Sequence, residues 1–144
     1  MGQHQGQKLL TDAERQRIIV EGDAALLVKK AQEIGRALKQ ADLKSAQIRN
    51  IFGTVRQIQA TWPLYTGVGA DQAAYPAAEQ AAYRQLQLLK PKLAYQAARN
   101  RPVGGLADIL TPAIDEVGAD RERFQHFVDF FEAILAYHVA AGGK

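Results

Sequence analysis

Apolar residues recur along this chain at intervals of three and four, and no stretch alternates apolar with polar between turn residues. That pattern predicts helices throughout and no sheet. Ile48, Ile51, Phe52, Val55 and Ile58 fall at i, i+3, i+4, i+7 and i+10, a core-facing stripe on a helix running from about Leu43 to Thr61. Leu26, Leu27, Ile34 and Leu38 supply a second stripe, ahead of it in the chain. Phe124, Phe127, Val128, Phe131, Ile134, Leu135 and His138 form a third, which Phe130 and Tyr137 widen to nearly half the circumference. A helix so broadly apolar packs on two sides, either centrally in a bundle or across a subunit boundary.

Punctuation residues divide the pattern into elements. Thr11 and Glu14 have capping-box spacing, so a helix starts near Thr11. Gly22-Asp23 interrupts it, and Asp23 caps a restart that runs to about Gln40. Trp62-Pro63 ends the following helix, because a residue before proline avoids helical geometry. Residues 64–75, with Gly67 and Gly69, read as a mobile loop, and Pro76 opens a helix to about Lys90. Pro91 then breaks or kinks the chain before a short helix from Lys92 to Asn100. Pro102 to Gly105 reads as a turn and Leu106 to Val117 as a helical stretch, which Pro112 either kinks or divides. Asp120 caps the last helix, and Gly142-Gly143 closes it. The expected fold is all-α, a compact bundle of five to six helices in a single domain over residues 11–144, behind a flexible polar leader at 1–10.

Composition supports that reading and removes whole classes of chemistry. The chain has 144 residues, 47% hydrophobic and 23% charged, which suits one globular domain. Its 25 Ala and 15 Gln favour helix. The absence of cysteine excludes disulfides, thiol nucleophiles, cysteine zinc sites and iron–sulfur clusters. There is no HExxH, GxSxG, phosphate-binding glycine loop or paired-carboxylate signature, so no enzyme activity, cofactor, metal site or small-molecule substrate is expected. His138, central on an apolar face, reads as a hydrogen-bonded structural residue, whereas His126 is expected in solvent. Asp129 and Glu132 read as solvated charge. Trp62, Tyr65 and Tyr75 around the long loop either staple it to the core or stack on bases. No stretch is long and apolar enough to span a membrane, and the leader lacks the apolar middle of a secretory signal, so a cytoplasmic location is expected.

Charge is unevenly placed. From Arg36 to Arg101 there are ten Lys/Arg against three Asp/Glu, and from Pro102 to Lys144 three against seven. The windows 43–70 and 80–107 contain no acid, as a polyanion-facing surface requires, although a solvated basic face has the same signature. Arg49 and Arg56 are seven apart on one predicted helix, and Lys92 and Arg99 on another, with Lys90 nearby. Seven residues advance a helix by about 10 Å, a spacing that can follow a nucleic-acid backbone without base readout. Lys44 and Gln47, near the first of these helices' N-terminus, where free amides favour anions, extend the candidate RNA-binding set. The acidic C-terminal third could meet the basic face of a neighbouring copy.

Three segments raise a specific resemblance. They are SAQIRNIF at 45–52, LQLLKPKLAYQAAR at 86–99 and FVDFFEAILAYH at 127–138. In this order and at these separations, the chain resembles the small subunit of the type III-A CRISPR–Cas effector, the Csm complex, over roughly residues 24–142. The resemblance implies a non-catalytic helical protein of antiviral defence, several copies of which stack along the guide RNA and its paired target RNA. It implies contact with backbone phosphates, partnership with the other effector subunits and copies of itself, and cleavage left to other subunits. The basic positions it carries over are Arg49, Lys90, Lys92 and Arg99; Arg56 and Lys44 come from helical geometry. The competing expectation is a helical protein–protein adaptor whose basic face binds an acidic partner.

Overall fold

The computed structural model describes residues 9–62 and 69–144, with the backbone alone over 69–75. Six helices follow one another: α1 (Asp12–Ile19), α2 (Ala24–Gln40), α3 (Ser45–Thr61), α4 (Gly69–Arg99), α5 (Val103–Val117) and α6 (Arg121–Ala140). No strand occurs among the described residues, and no described helix is long and apolar enough to cross a membrane.

The predicted caps are in place. Thr11 Oγ1 accepts from the Glu14 amide at 3.1 Å while Glu14 Oε1 accepts from the Thr11 amide at 3.0 Å, closing a reciprocal box. Asp23 accepts from the Leu26 amide and Asp120 from the Arg123 amide, each at 3.0 Å. These carboxylates serve helix donors that have no partner within the helix.

The wide apolar stripe of α6 has a structural cause. This helix packs against α1, α2, α3 and α5, so it is the central element of the bundle. Phe124, Phe127, Phe130 and Phe131 are all fully buried. Phe52 of α3 meets Phe131 edge-on at 5.1 Å, and Trp62 stacks on Phe124 at 5.0 Å. Trp62 therefore staples the end of α3 to the core, whereas Tyr65 lies outside the described residues and so does the Tyr75 side chain. α4 lies on the outer side, against α3 and α5.

Several expected boundaries are corrected. α4 begins at Gly69, so residues 69–75 are helical rather than loop; 63–68 lie outside the described residues. The helix also continues through Pro91. An interior proline costs about 3 kcal/mol. Here Leu86, Leu89 and Leu93 are buried on both sides of it and hold the two halves to one surface. Pro91 itself is exposed, where water can serve the Gln87 carbonyl that loses its helical donor. Pro102 adopts helical angles as the residue before α5, so Gly104 and Gly105 sit in that helix and not in a turn, and Pro112 is accommodated inside it. Leu10 is buried and Leu9 packs on the core, so the end of the expected leader belongs to the bundle. Residues 1–8 lie outside the described ones.

Both histidines of α6 are structural. His138 is fully buried and its Nε2 donates to the Leu43 carbonyl at 2.6 Å, as expected. His126 departs from expectation: it is half-buried, and its Nδ1 lies 2.8 Å from the Ile19 carbonyl at the end of α1. The partner is 107 residues away in sequence, beyond the reach of helical periodicity.

Candidate nucleic-acid interface

The seven candidate residues do not converge on one patch. α3 carries Arg49 and Arg56 on the flank that turns toward α6. Arg56 is exposed and its guanidinium lies 5.8 Å from the Phe52 ring centroid, over a side chain that packs on α6. Arg49, also exposed, donates from Nη2 to Ser45 Oγ at 3.1 Å. Ser45 is buried and donates in turn to the Lys144 main-chain oxygen at 2.8 Å, which ties this flank to the end of the chain.

Lys44 and Gln47 are occupied with local structure. Lys44 Nζ pairs with Asp42 at 2.7 Å, and that hydrogen bond holds the Asp42 carboxyl below its ordinary range. Asp42 has φ of 67°, the left-handed geometry of the tight joint before α3. Gln47 Oε1 accepts from the Lys44 amide at 3.2 Å, closing the N-terminus of α3.

α4 splits its cations between two flanks. Lys90 reaches α5, where Nζ pairs with Asp115 at 2.6 Å. Lys92 is two residues on, roughly 200° around the helix, and lines a groove against α3. Arg99 donates from Nη1 to the Tyr95 hydroxyl at 2.9 Å and lies over that ring, 5.6 Å from its centroid.

The groove between α3 and α4 has a volume of about 300 Å³. α3 contributes Asn50, Ile51 and Thr54; α4 contributes Leu89, Pro91, Lys92, Leu93, Tyr95 and Gln96. Asn50 follows Arg49 directly, about 100° around α3, so the arginine pair and the groove occupy different flanks. Periodicity alone did not single out Asn50 and Thr54, because polar residues beside a core stripe look the same whether they face water or a neighbouring helix.

Ion pairing separates the cations into two groups. Arg15, Arg17, Lys30, Lys44 and Lys90 each meet a carboxylate. Arg49, Arg56, Lys92 and Arg99 are exposed and have no ion pair among the described residues. Lys29, Arg36, Lys39, Arg84 and Arg101 are also exposed without an ion pair among the described residues and were not singled out in the sequence; Lys29 and Arg36 lie seven apart on α2. Asp129 and Glu132 are exposed on α6, as expected, and no three His, Asp or Glu side chains converge among the described residues.

The family model described as Csm2 Type III-A matches residues 21–144, which takes in every helix from α2 to α6. No curated protein and no solved structure matches the chain.

Proposed function

Because the chain belongs to the Csm2 type III-A family, and so is a small subunit of the type III-A CRISPR effector that associates with the other subunits of that complex, we propose that it sheathes RNA. In this reading several copies lie side by side along the guide RNA and its paired target RNA and hold the phosphate backbone without reading sequence. The chain is non-catalytic, works in the cytoplasm in antiviral defence, and leaves sequence recognition to base pairing.

The observation that carries this reading is the group of four exposed cations, Arg49, Arg56, Lys92 and Arg99, without acidic partners among the described residues. Each sits on a helix held by a buried stripe, so its position is fixed while its charge stays available. Arginine forks and lysine point charges neutralise phosphates and release counterions, which gives affinity with little base preference. The acidic exposed residues of α5 and α6, among them Asp108, Asp129 and Glu132, offer a neighbouring copy's basic face a complementary surface.

The test is the salt dependence of RNA retention by the reconstituted effector, with the Arg49→Glu/Lys92→Glu chain beside the wild type. Retention that falls steeply with salt, and falls further in the variant at unchanged helicity, supports the reading. Retention indifferent to both salt and charge reversal would overturn it and favour the adaptor with an acidic protein partner.

A further inference from the structure

The α3–α4 groove has a chemistry that backbone contact alone does not use. Its floor is apolar: Ile51, Leu89 and Leu93 are buried beneath it. Its polar wall is Asn50, Thr54 and Gln96. Amides and hydroxyls that rotate can present donors or acceptors to different ring edges. Tyr95 lines the groove with 58% of its surface exposed, and Arg99 holds it in place through its hydroxyl and over its ring. Lys92 stands at the same groove, and no carboxylate lines it.

These features select one kind of occupant. A volume of about 300 Å³ is at the small end for ligand sites and suits a single flat molecule rather than a docked helix. An apolar floor with an aromatic side wall favours a planar ring. Lys92 and Arg99, with no acid opposite, favour negative charge attached to that ring. A planar heterocycle bearing a phosphate is a nucleotide.

We propose that the α3–α4 groove is a nucleotide pocket, which takes one unstacked base of a single-stranded RNA segment beside Tyr95 and sets its phosphate on Lys92. The proposal rests on the reading of this chain as an RNA-sheathing subunit and adds to it a base contact that tolerates any sequence. Every base has a π-face, so stacking on Tyr95 gives affinity without readout.

The experiment compares a short single-stranded RNA with an abasic strand of the same length, and with uridine monophosphate alone. Binding is measured over a range of salt with the full chain and with the assembled effector. The variants are Tyr95→Ala and Tyr95→Phe; because Tyr95 is exposed, both are expected to fold. The expected result is tighter binding of the base-bearing strand, reduced roughly 5- to 150-fold by Tyr95→Ala and kept by Tyr95→Phe, with an unchanged salt slope. Equal binding of the two strands, with a normal salt slope, overturns the pocket and leaves the backbone reading standing. Binding of neither strand in either preparation overturns the pocket, while the backbone reading stands or falls on the salt dependence of guide–target retention. Uridine monophosphate binding as tightly as the strand makes the occupant a free nucleotide and overturns the RNA assignment. A Tyr95→Ala chain that fails to assemble while holding RNA normally makes the occupant a protein surface and overturns it too.

Discussion

Gly143 packs directly on the imidazole of His138: a Cβ built on Gly143 would stand 2.1 Å from Cε1 and 2.3 Å from Nδ1. His138 cannot give way, because it is fully buried and its Nε2 is tied to the Leu43 carbonyl. Gly143→Ala must therefore lift the last residues off the bundle and break the bond between Ser45 and Lys144, which also positions Arg49. The expected loss is about 1–3 kcal/mol, the usual range for overpacking, read by thermal unfolding. Faster amide exchange at 141–144 with the rest of α6 unchanged would locate it.

Two helical glycines give opposite predictions from one substitution. At Gly35, a Cβ would come within 2.7 Å of the His138 amide nitrogen and 2.9 Å of the Tyr137 carbonyl carbon. These are backbone atoms, so α2 and α6 would have to separate, and Gly35→Ala is expected to destabilise by about 1–3 kcal/mol. At Gly53, on the exposed side of α3, a Cβ meets nothing within 4 Å. Gly53→Ala is expected to stabilise by about 0.5–1 kcal/mol, because alanine restricts the unfolded chain and is the better helix former. Denaturant midpoints of the two variants on either side of the wild type would bear out both.

That contrast shows where sequence reading stops. The caps at Thr11, Asp23 and Asp120 and the stripe of Ile48, Ile51, Val55 and Ile58 were legible because each depends on residues within a few positions. The course of α4 through Pro91 was not, because the local cost of proline is offset by leucines buried against other helices. The pairing of Lys90 with Asp115 crosses 25 residues, and that of His126 with Ile19 crosses 107. A basic residue in an acid-free window therefore looked available in both Lys90 and Lys92. The fold neutralises the first and leaves the second exposed.

Lys90 and Lys92 should accordingly behave differently. Lys92→Ala is expected to lower the salt slope of RNA retention by about one, the loss of one phosphate contact. Lys90→Ala should leave that slope unchanged and cost at most about 1 kcal/mol of stability, since its pair with Asp115 is partly exposed. Identical slopes for the two variants would remove Lys92 from the interface.

Acid should loosen the α1–α2 corner, along with the Asp42–Lys44 pair before α3. The Thr11 amide holds the Glu14 carboxyl below its ordinary range, with Lys30 adding to this, and the Leu26 amide and Arg17 do the same for Asp23. A depressed folded value contributes stability above the ordinary carboxylate range and loses it as pH falls through the lower folded value. Burial opposes the Lys30 charge, but Glu33 and Glu14 outweigh it and hold the ammonium above its ordinary range, so this contribution is lost as pH rises through that folded value and also in acid once the two carboxylates protonate. Melting temperature should be flat through neutrality and fall below about pH 4. Glu14→Gln keeps the reciprocal cap without the titrating group, so its acid decline should be shallower. An equal decline would place the acid sensitivity elsewhere.

Lys29 and Arg36 on α2 repeat the seven-residue spacing of Arg49 and Arg56, and both are exposed. Similar spacing does not make them one track. α6 packs between α2 and α3, and it exposes Asp129 and Glu132. A phosphate chain running from the α3 pair to the α2 pair would have to cross those carboxylates, which repel it. Lys29→Glu/Arg36→Glu should therefore leave the salt slope of RNA retention unchanged, whereas Arg49→Glu/Arg56→Glu should lower it by about two. Equal losses from the two double variants would mean that RNA crosses α6, and the phosphate track would then have to be redrawn over all three helices.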